Sequence, residues 1–205
     1  MALENYDDLK ASIADWLDRD DLTTVIPDFI LMAENRFDRE VRIRDMIRRS
    51  TTTTSDSKLL ALPADYLEMK RLMLNYDPVR VVRQTSADQL AMRFANGSSG
   101  KPNYFAVHEC IEFDRVPTLV DAEIIYYARL TNLSDVNPTN VLLNNNPDLY
   151  LFASLLAAEA YTGNDPRIPI WSQAYAQAAA QVTKNHRLGQ ITSGPVQSTV
   201  DGPTP

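Results

Sequence analysis

The stretch that most constrains this chain runs from Asn146 to Arg187. Its first part, Leu149-Tyr150-Leu151-Phe152-Ala153-Ser154-Leu155-Leu156-Ala157-Ala158-Glu159-Ala160-Tyr161, is the longest patterned apolar run in the sequence. Leu149, Phe152, Leu156 and Ala160 recur at three- and four-residue steps, and Leu151 and Leu155 widen the stripe. The spacing predicts a helix apolar over most of its circumference, which must sit in the middle of a fold with Leu151, Phe152 and Leu155 buried. Asn146 can cap it, Pro147 suits the first helical position and Asp148 suits the positive N-terminal end. Gly163 should end the helix, and Asn164-Asp165-Pro166 should make a turn. A second helix is expected over roughly Ile168 to His186. Its alanines (Ala174, Ala176, Ala178, Ala179 and Ala180) would let a neighbouring helix come close.

Helices are also expected at the N-terminal end. Over residues 5 to 18, Asn5 is a suitable cap and Tyr6, Leu9, Ile13, Trp16 and Leu17 form one apolar stripe. Thr24 can cap a second helix, with Pro27 tolerated in its first turn and Ile26, Phe29, Ile30, Ala33 and Phe37 facing inward. From Glu34 to Arg49 this helix is expected to become highly charged. Within it Arg36, Asp38, Arg39, Glu40, Arg42 and Arg44 do not collapse onto one stripe. Asp38 with Arg42 and Glu40 with Arg44 are acid-before-base pairs at the favourable i, i+4 spacing. Such residues can form a solvated face with local ion pairs, contacts between subunits, or contacts to a DNA backbone.

From Ser50 the pattern changes. Thr51 to Thr54 are β-branched and poor for a helix. Leu59 to Pro63 is short and apolar, stopped by Pro63, and Tyr66 to Leu74, Val79 to Arg83, Asn103 to Val107, Ile111 to Asp114 and Glu123 to Arg129 read as short extended segments, several bounded by turn formers such as Asn75-Tyr76-Asp77-Pro78. A short helix is expected from Ser86 to Phe94. The predicted class is α+β, a helical bundle formed by the N- and C-terminal helices with an inserted antiparallel β region. One domain is expected over 1–188, with a helical body at 1–49 and 146–188, the β insertion at 50–130 and a connecting loop at 131–145. A flexible tail follows over 189–205. It is rich in Gly, Pro, Ser and Thr, and only Ile191, Val196 and Val200 could be buried, too few to offset an ordering cost of about 1–2 kcal/mol per residue.

Chemistry-bearing residues are sparse. The net charge of −7 disfavours non-specific nucleic-acid binding. A single cysteine, Cys110, excludes an intrachain disulfide. No metal is expected at His108 or His186, since only Cys110, two residues from His108, offers a second ligand of that kind. Gly97-Ser98-Ser99-Gly100-Lys101 lacks the following helix that a phosphate loop needs. Asp15, Asp18, Asp20 and Asp21 lack calcium-loop order. No nucleophile motif stands out, so neither an enzyme nor a cofactor is expected. The N-terminus shows no secretory pattern, and no stretch approaches the roughly 20 apolar residues that span a bilayer.

Taken in order, several stretches carry a resemblance. They begin with Tyr6-Asp7-Asp8-Leu9-Lys10, Ala14-Asp15-Trp16-Leu17-Asp18-Arg19-Asp20-Asp21-Leu22, Ile26-Pro27-Asp28-Phe29-Ile30 and Ala33-Glu34-Asn35-Arg36. Leu62-Pro63-Ala64-Asp65-Tyr66-Leu67-Glu68, Gly100-Lys101-Pro102-Asn103-Tyr104 and Tyr126-Tyr127-Ala128-Arg129-Leu130 follow. Last come Leu133-Ser134-Asp135, Asn137-Pro138-Thr139-Asn140 and the helix from Pro147. In this joint order, from about Tyr6 to Arg187, the chain resembles the head-to-tail adaptor (connector) proteins of short-tailed bacteriophages.

The resemblance implies a structural virion protein in the neck, assembled in the host cytoplasm. It implies a ring, usually of twelve copies, that sits beneath the portal protein, extends the DNA channel and docks a tail or nozzle protein. Genomic DNA would pass through without specific binding, and no membrane is involved. Arg36, Asp38, Arg39, Glu40, Arg42 and Arg44 would then face neighbouring subunits, and the tail with Ile191, Val196 and Val200 would reach the portal. The alternative is a small acidic DNA-packaging or regulatory factor that is absent from the virion.

Overall fold

The computed structural model describes residues 3–94, 98–163 and 165–190. In chain order its main elements are α1 (Tyr6–Leu17), α2 (Ile26–Glu40), β1 (Ile47–Thr53), β2 (Leu59–Ala61), β3 (Tyr66–Leu74), β4 (Arg80–Gln84) and α3 (Ala87–Phe94). They continue with β5 (Tyr104–Val107), β6 (Cys110–Phe113), β7 (Asp121–Ala128), α4 (Val141–Asn145), α5 (Pro147–Ala157), α6 (Glu159–Thr162) and α7 (Ile168–Gln190). The chain forms two compact units, one from Met1–Arg44 with Leu133–Pro205 and one from Asp45–Asn132.

The helical unit is organised around α5. The helices α1, α2, α4 and α7 all pack on it, as its broad apolar surface requires. Leu149, Tyr150, Leu151 and Leu155 are buried, whereas Phe152 is only half-buried and meets Trp16 edge to face at 5.8 Å. Pro147 opens α5, but Asn146 makes no side-chain cap; it closes α4 by donating its N–H to Leu142 O. The apolar run does not continue as one helix. It breaks at Ala158, and the short α6 ends at Gly163, whose φ of 50° favours glycine. α7 buries Trp171, Tyr175, Ala178 and Val182 at helical spacing, so its contact face is built from large residues and one of the expected alanines. Asn5 caps α1 by accepting from the Asp8 N–H at 2.9 Å. Residues 141–145, which sequence alone assigns to a polar connection, form α4, capped by Asn140 and holding Leu142 and Leu143 in the core.

The sheet unit holds seven strands in the order β1-β7-β3-β4-β5-β6-β2. All neighbours run antiparallel except β4 and β5, which are parallel and are linked through α3. Irregular register in the β3–β7 pairing shifts the alternation of β3. Met69, Leu72 and Leu74 therefore all reach the core, where strict alternation puts Met69 opposite to Leu72 and Leu74. They join Phe105, Ile111, Phe113, Ala122 and Ile124 in a core belonging to the sheet itself.

This architecture overturns the expected class. The protein is mixed α/β with a curled seven-stranded sheet, not a helical bundle carrying an antiparallel insertion. Two local features explain the difference. α2 stops at Glu40 because Val41 and Ile43, both buried, are two apart and draw the backbone into extended geometry. Arg48 and Arg49 consequently lie in β1 rather than at the end of a long charged helix. The sheet is also not purely antiparallel, because α3 supplies a crossover. Among the described residues no helix is long and apolar enough to cross a membrane.

Candidate functional site

The charged face of α2 follows from its amphipathic pattern. Ile26, Phe29, Ile30, Ala33 and Phe37 are buried, which turns Met32, Asn35 and Arg39 outward. Met32 stays 52% exposed, a large apolar side chain left facing solvent. Beside it lies a groove of about 380 Å³. α2 contributes Met32, Asn35, Arg36 and Arg39 to its wall, and α5 contributes Ala153, Leu156 and Ala157. Three alanines, Ala33, Ala153 and Ala157, leave the space, and the arginines make one rim cationic.

The expected charges do different work. Arg36 reaches Glu40 through its Nε at 3.1 Å and lies 4.2 Å from the ring centre of Tyr175 on α7. The Tyr175 hydroxyl donates to Glu40 Oε2 at 2.6 Å. Burial and that bond push the Tyr175 hydroxyl above its ordinary pKa. Arg36 and Glu40 thus tie α2 to α7. Arg36 and Glu40 form an i, i+4 pair, base before acid, and Glu40 cannot pair with Arg44 along a helix that has already ended.

Arg42 turns back and donates to the main-chain oxygens of Asp38 (2.9 Å) and Val41 (2.8 Å), closing the helix end. Arg39 and Arg44 are exposed and have no hydrogen bond or ion pair among the described residues. Of the six charges singled out in sequence, these two arginines alone combine exposure with open donors. Ile191, Val196 and Val200 lie outside the described residues.

The residue that sequence reasoning missed is Glu34. It is 7% exposed, on the inward side of α2. Its Oε1 accepts from the Leu133 N–H at 2.7 Å and from the Tyr150 hydroxyl at 3.2 Å, while Asn140 Nδ2 donates to that hydroxyl at 2.6 Å. Burial raises the Glu34 carboxyl to about 7, against the opposing effect of the two bonds it accepts. Its place beside Ala33 and four residues after Ile30 is the one local signal of burial.

His108 lies 3.0 Å from Glu112 across its hairpin, and Cys110 is a free thiol. Among the described residues no three His, Cys, Asp or Glu side chains gather as metal ligands. Asp15, Asp18 and Asp21 are exposed. Asp21 pairs with Arg19 at 2.6 Å.

A family model described as SU10 adaptor protein matches residues 4–199, which takes in both units. No curated protein matches the chain.

Proposed function

The chain belongs to the SU10 adaptor protein family, and from that premise we propose that it is the head-to-tail adaptor of a short-tailed phage. As a phage adaptor it is a structural component of the virion that contacts other head and tail proteins. On the proposed reading, copies form a ring, usually of twelve, beneath the portal. The ring lengthens the DNA channel, receives a tail or nozzle protein and occupies the neck. The observation that carries this reading is the family match across residues 4–199.

The surface of the helical unit supports it. A heterologous contact repeated around an axis closes a ring, and it needs one patch of each copy to fit a different patch of the next. The α2–α5 groove, with exposed Met32 and unpartnered Arg39, is suited to be one such patch. Exposed Asp15 and Asp18, near half-exposed Trp16, offer a complementary acidic one. The tail from Ile191, with Val196 and Val200, is proposed to bind the portal, where repetition around a ring multiplies a weak contact. With a net charge of −7 the protein lets DNA pass rather than gripping it.

Sedimentation of the purified protein with and without portal tests this function. A small species alone and a ring-sized species on the portal are expected. Failure of the mixture to form any heavier species would sink the proposal.

A further inference from the structure

We infer that the open edge of β1 receives an extended, carboxylate-bearing segment of a neighbouring head or tail protein, which adds an eighth strand to the sheet. This inference rests on the adaptor reading for the source of the partner. Its geometry comes from the sheet. β1 ends the strand order, and among the described residues only β7 pairs with it, in unbroken register from Ile47↔Tyr127 to Thr53↔Asp121.

The ladder fixes which groups face outward. Thr54 donates its N–H to Val120 O at 2.8 Å. Antiparallel bonds recur at every second residue, so Thr52, Ser50 and Arg48 aim their main-chain groups at β7. The N–H and C=O of Ile47, Arg49, Thr51 and Thr53 therefore point away from β7. Among the described residues none of these outward groups meets a protein partner.

Sheets usually blunt such an edge with a proline, charged side chains, a bulge or a very short strand. β2, at the other edge, has only three residues. β1 has seven and carries no Pro or Gly, its pairing to β7 has no bulge, and its two charges, Arg48 and Arg49, leave Ser50 to Thr53 uncharged. It is a regular template for strand addition, in which main-chain bonds supply the affinity and flanking side chains the choice of partner.

The flanking side chains select the occupant. Arg48 and Arg49 are 59% and 67% exposed. Each has one carboxylate nearby, Asp65 at 3.8 Å and Glu123 at 3.1 Å, which leaves most guanidinium donors to solvent. A second copy is a poor occupant. Parallel pairing of two β1 strands sets arginine against arginine, and antiparallel pairing about Ser50 sets Arg48 and Arg49 opposite Thr52 and Thr51, with no acid to meet them. An acid-bearing strand meets the same cations favourably.

Thr51→Pro is the selective probe. Its N–H points outward, so proline removes an edge donor while sparing the bonds to β7. Full-length protein is mixed with genome-filled heads, and separately with tails, from an infection in which this chain is not made. Wild type should bind one of them. Thr51→Pro should melt like wild type yet bind at least tenfold more weakly. In wild type the Arg49, Thr51 and Thr53 amides should exchange quickly when free and become protected in the particle. That second measurement decides the matter even if the variant folds poorly.

Equal binding by both proteins, with those amides still exchanging quickly, would overturn the edge inference while leaving the adaptor reading intact. Protection of the same amides in self-associated protein alone would assign the edge to a second copy and overturn the choice of partner. Wild type that binds neither heads nor tails would overturn both readings.

Discussion

The Leu133 main-chain N–H donates to Glu34 Oε1 at 2.7 Å inside the helical unit. A carboxyl buried in α2 thereby holds the point at which the chain re-enters that unit. The Tyr150 hydroxyl shares the same oxygen, so α5 is tied to α2 through one acidic group.

That group makes stability depend on pH. The Glu34 carboxyl stands at about 7 when folded, against 4.5 for the ordinary side chain. Its folded pKa is raised, so the stability it contributes is full below about 4.5 and is lost as pH rises through about 7. Glu34→Gln removes this titration. The melting temperature of the variant should therefore rise relative to wild type between pH 5 and pH 8. Melts at the two pH values, with the difference between proteins unchanged, would contradict the placement of Glu34.

The centre of the helical unit should respond unevenly to truncation. Leu155 is fully buried, and Leu155→Ala should cost about 2–5 kcal/mol. Phe152 is half-buried against Trp16, so Phe152→Ala should fall below the roughly 3–5 kcal/mol expected for a core phenylalanine. Denaturant unfolding of both variants checks the order. A larger loss at Phe152 would mean that α5 is rotated from its described position.

Tyr175→Phe deletes the donor to Glu40 and leaves the ring beside Arg36. A loss of about 1.5–3 kcal/mol is expected for a bond to a charged group. A double-mutant cycle with Glu40→Gln should show the two sites to be coupled. Additive losses would mean that the contact contributes nothing to joining α2 and α7.

Arg39→Glu should leave stability within about 0.5 kcal/mol, because the side chain is exposed and unpaired. On the proposed reading the same variant lowers the yield of rings on the portal, measured by sedimentation. Normal ring yield would remove the groove from the subunit contact.

Much of the helical unit was legible in sequence because its signals are local. Asn5 caps α1, Pro147 opens α5, and the apolar stripe of α5 is broad enough to place it centrally. The mixed sheet was less legible. A run such as Val41-Arg42-Ile43 carries its period-two signal over three residues, too few to outweigh a charged stretch that suits a helix. Bulges in β3 blur alternation for the same reason.

The groove and the Glu34 site were not legible at all. The groove joins α2 to α5, more than 100 residues apart in the chain. Glu34 finds its partners 99 and 116 residues away. A glutamate within a charged stretch gives no sign of such distant partners.

Whether the chain is built into the virion is decided by quantitative mass spectrometry of purified particles. As an adaptor, this chain should be present in every particle, in a fixed ratio to the portal protein and at a copy number set by a ring. Purified infectious virions that lack the chain would contradict it and favour a packaging or regulatory factor.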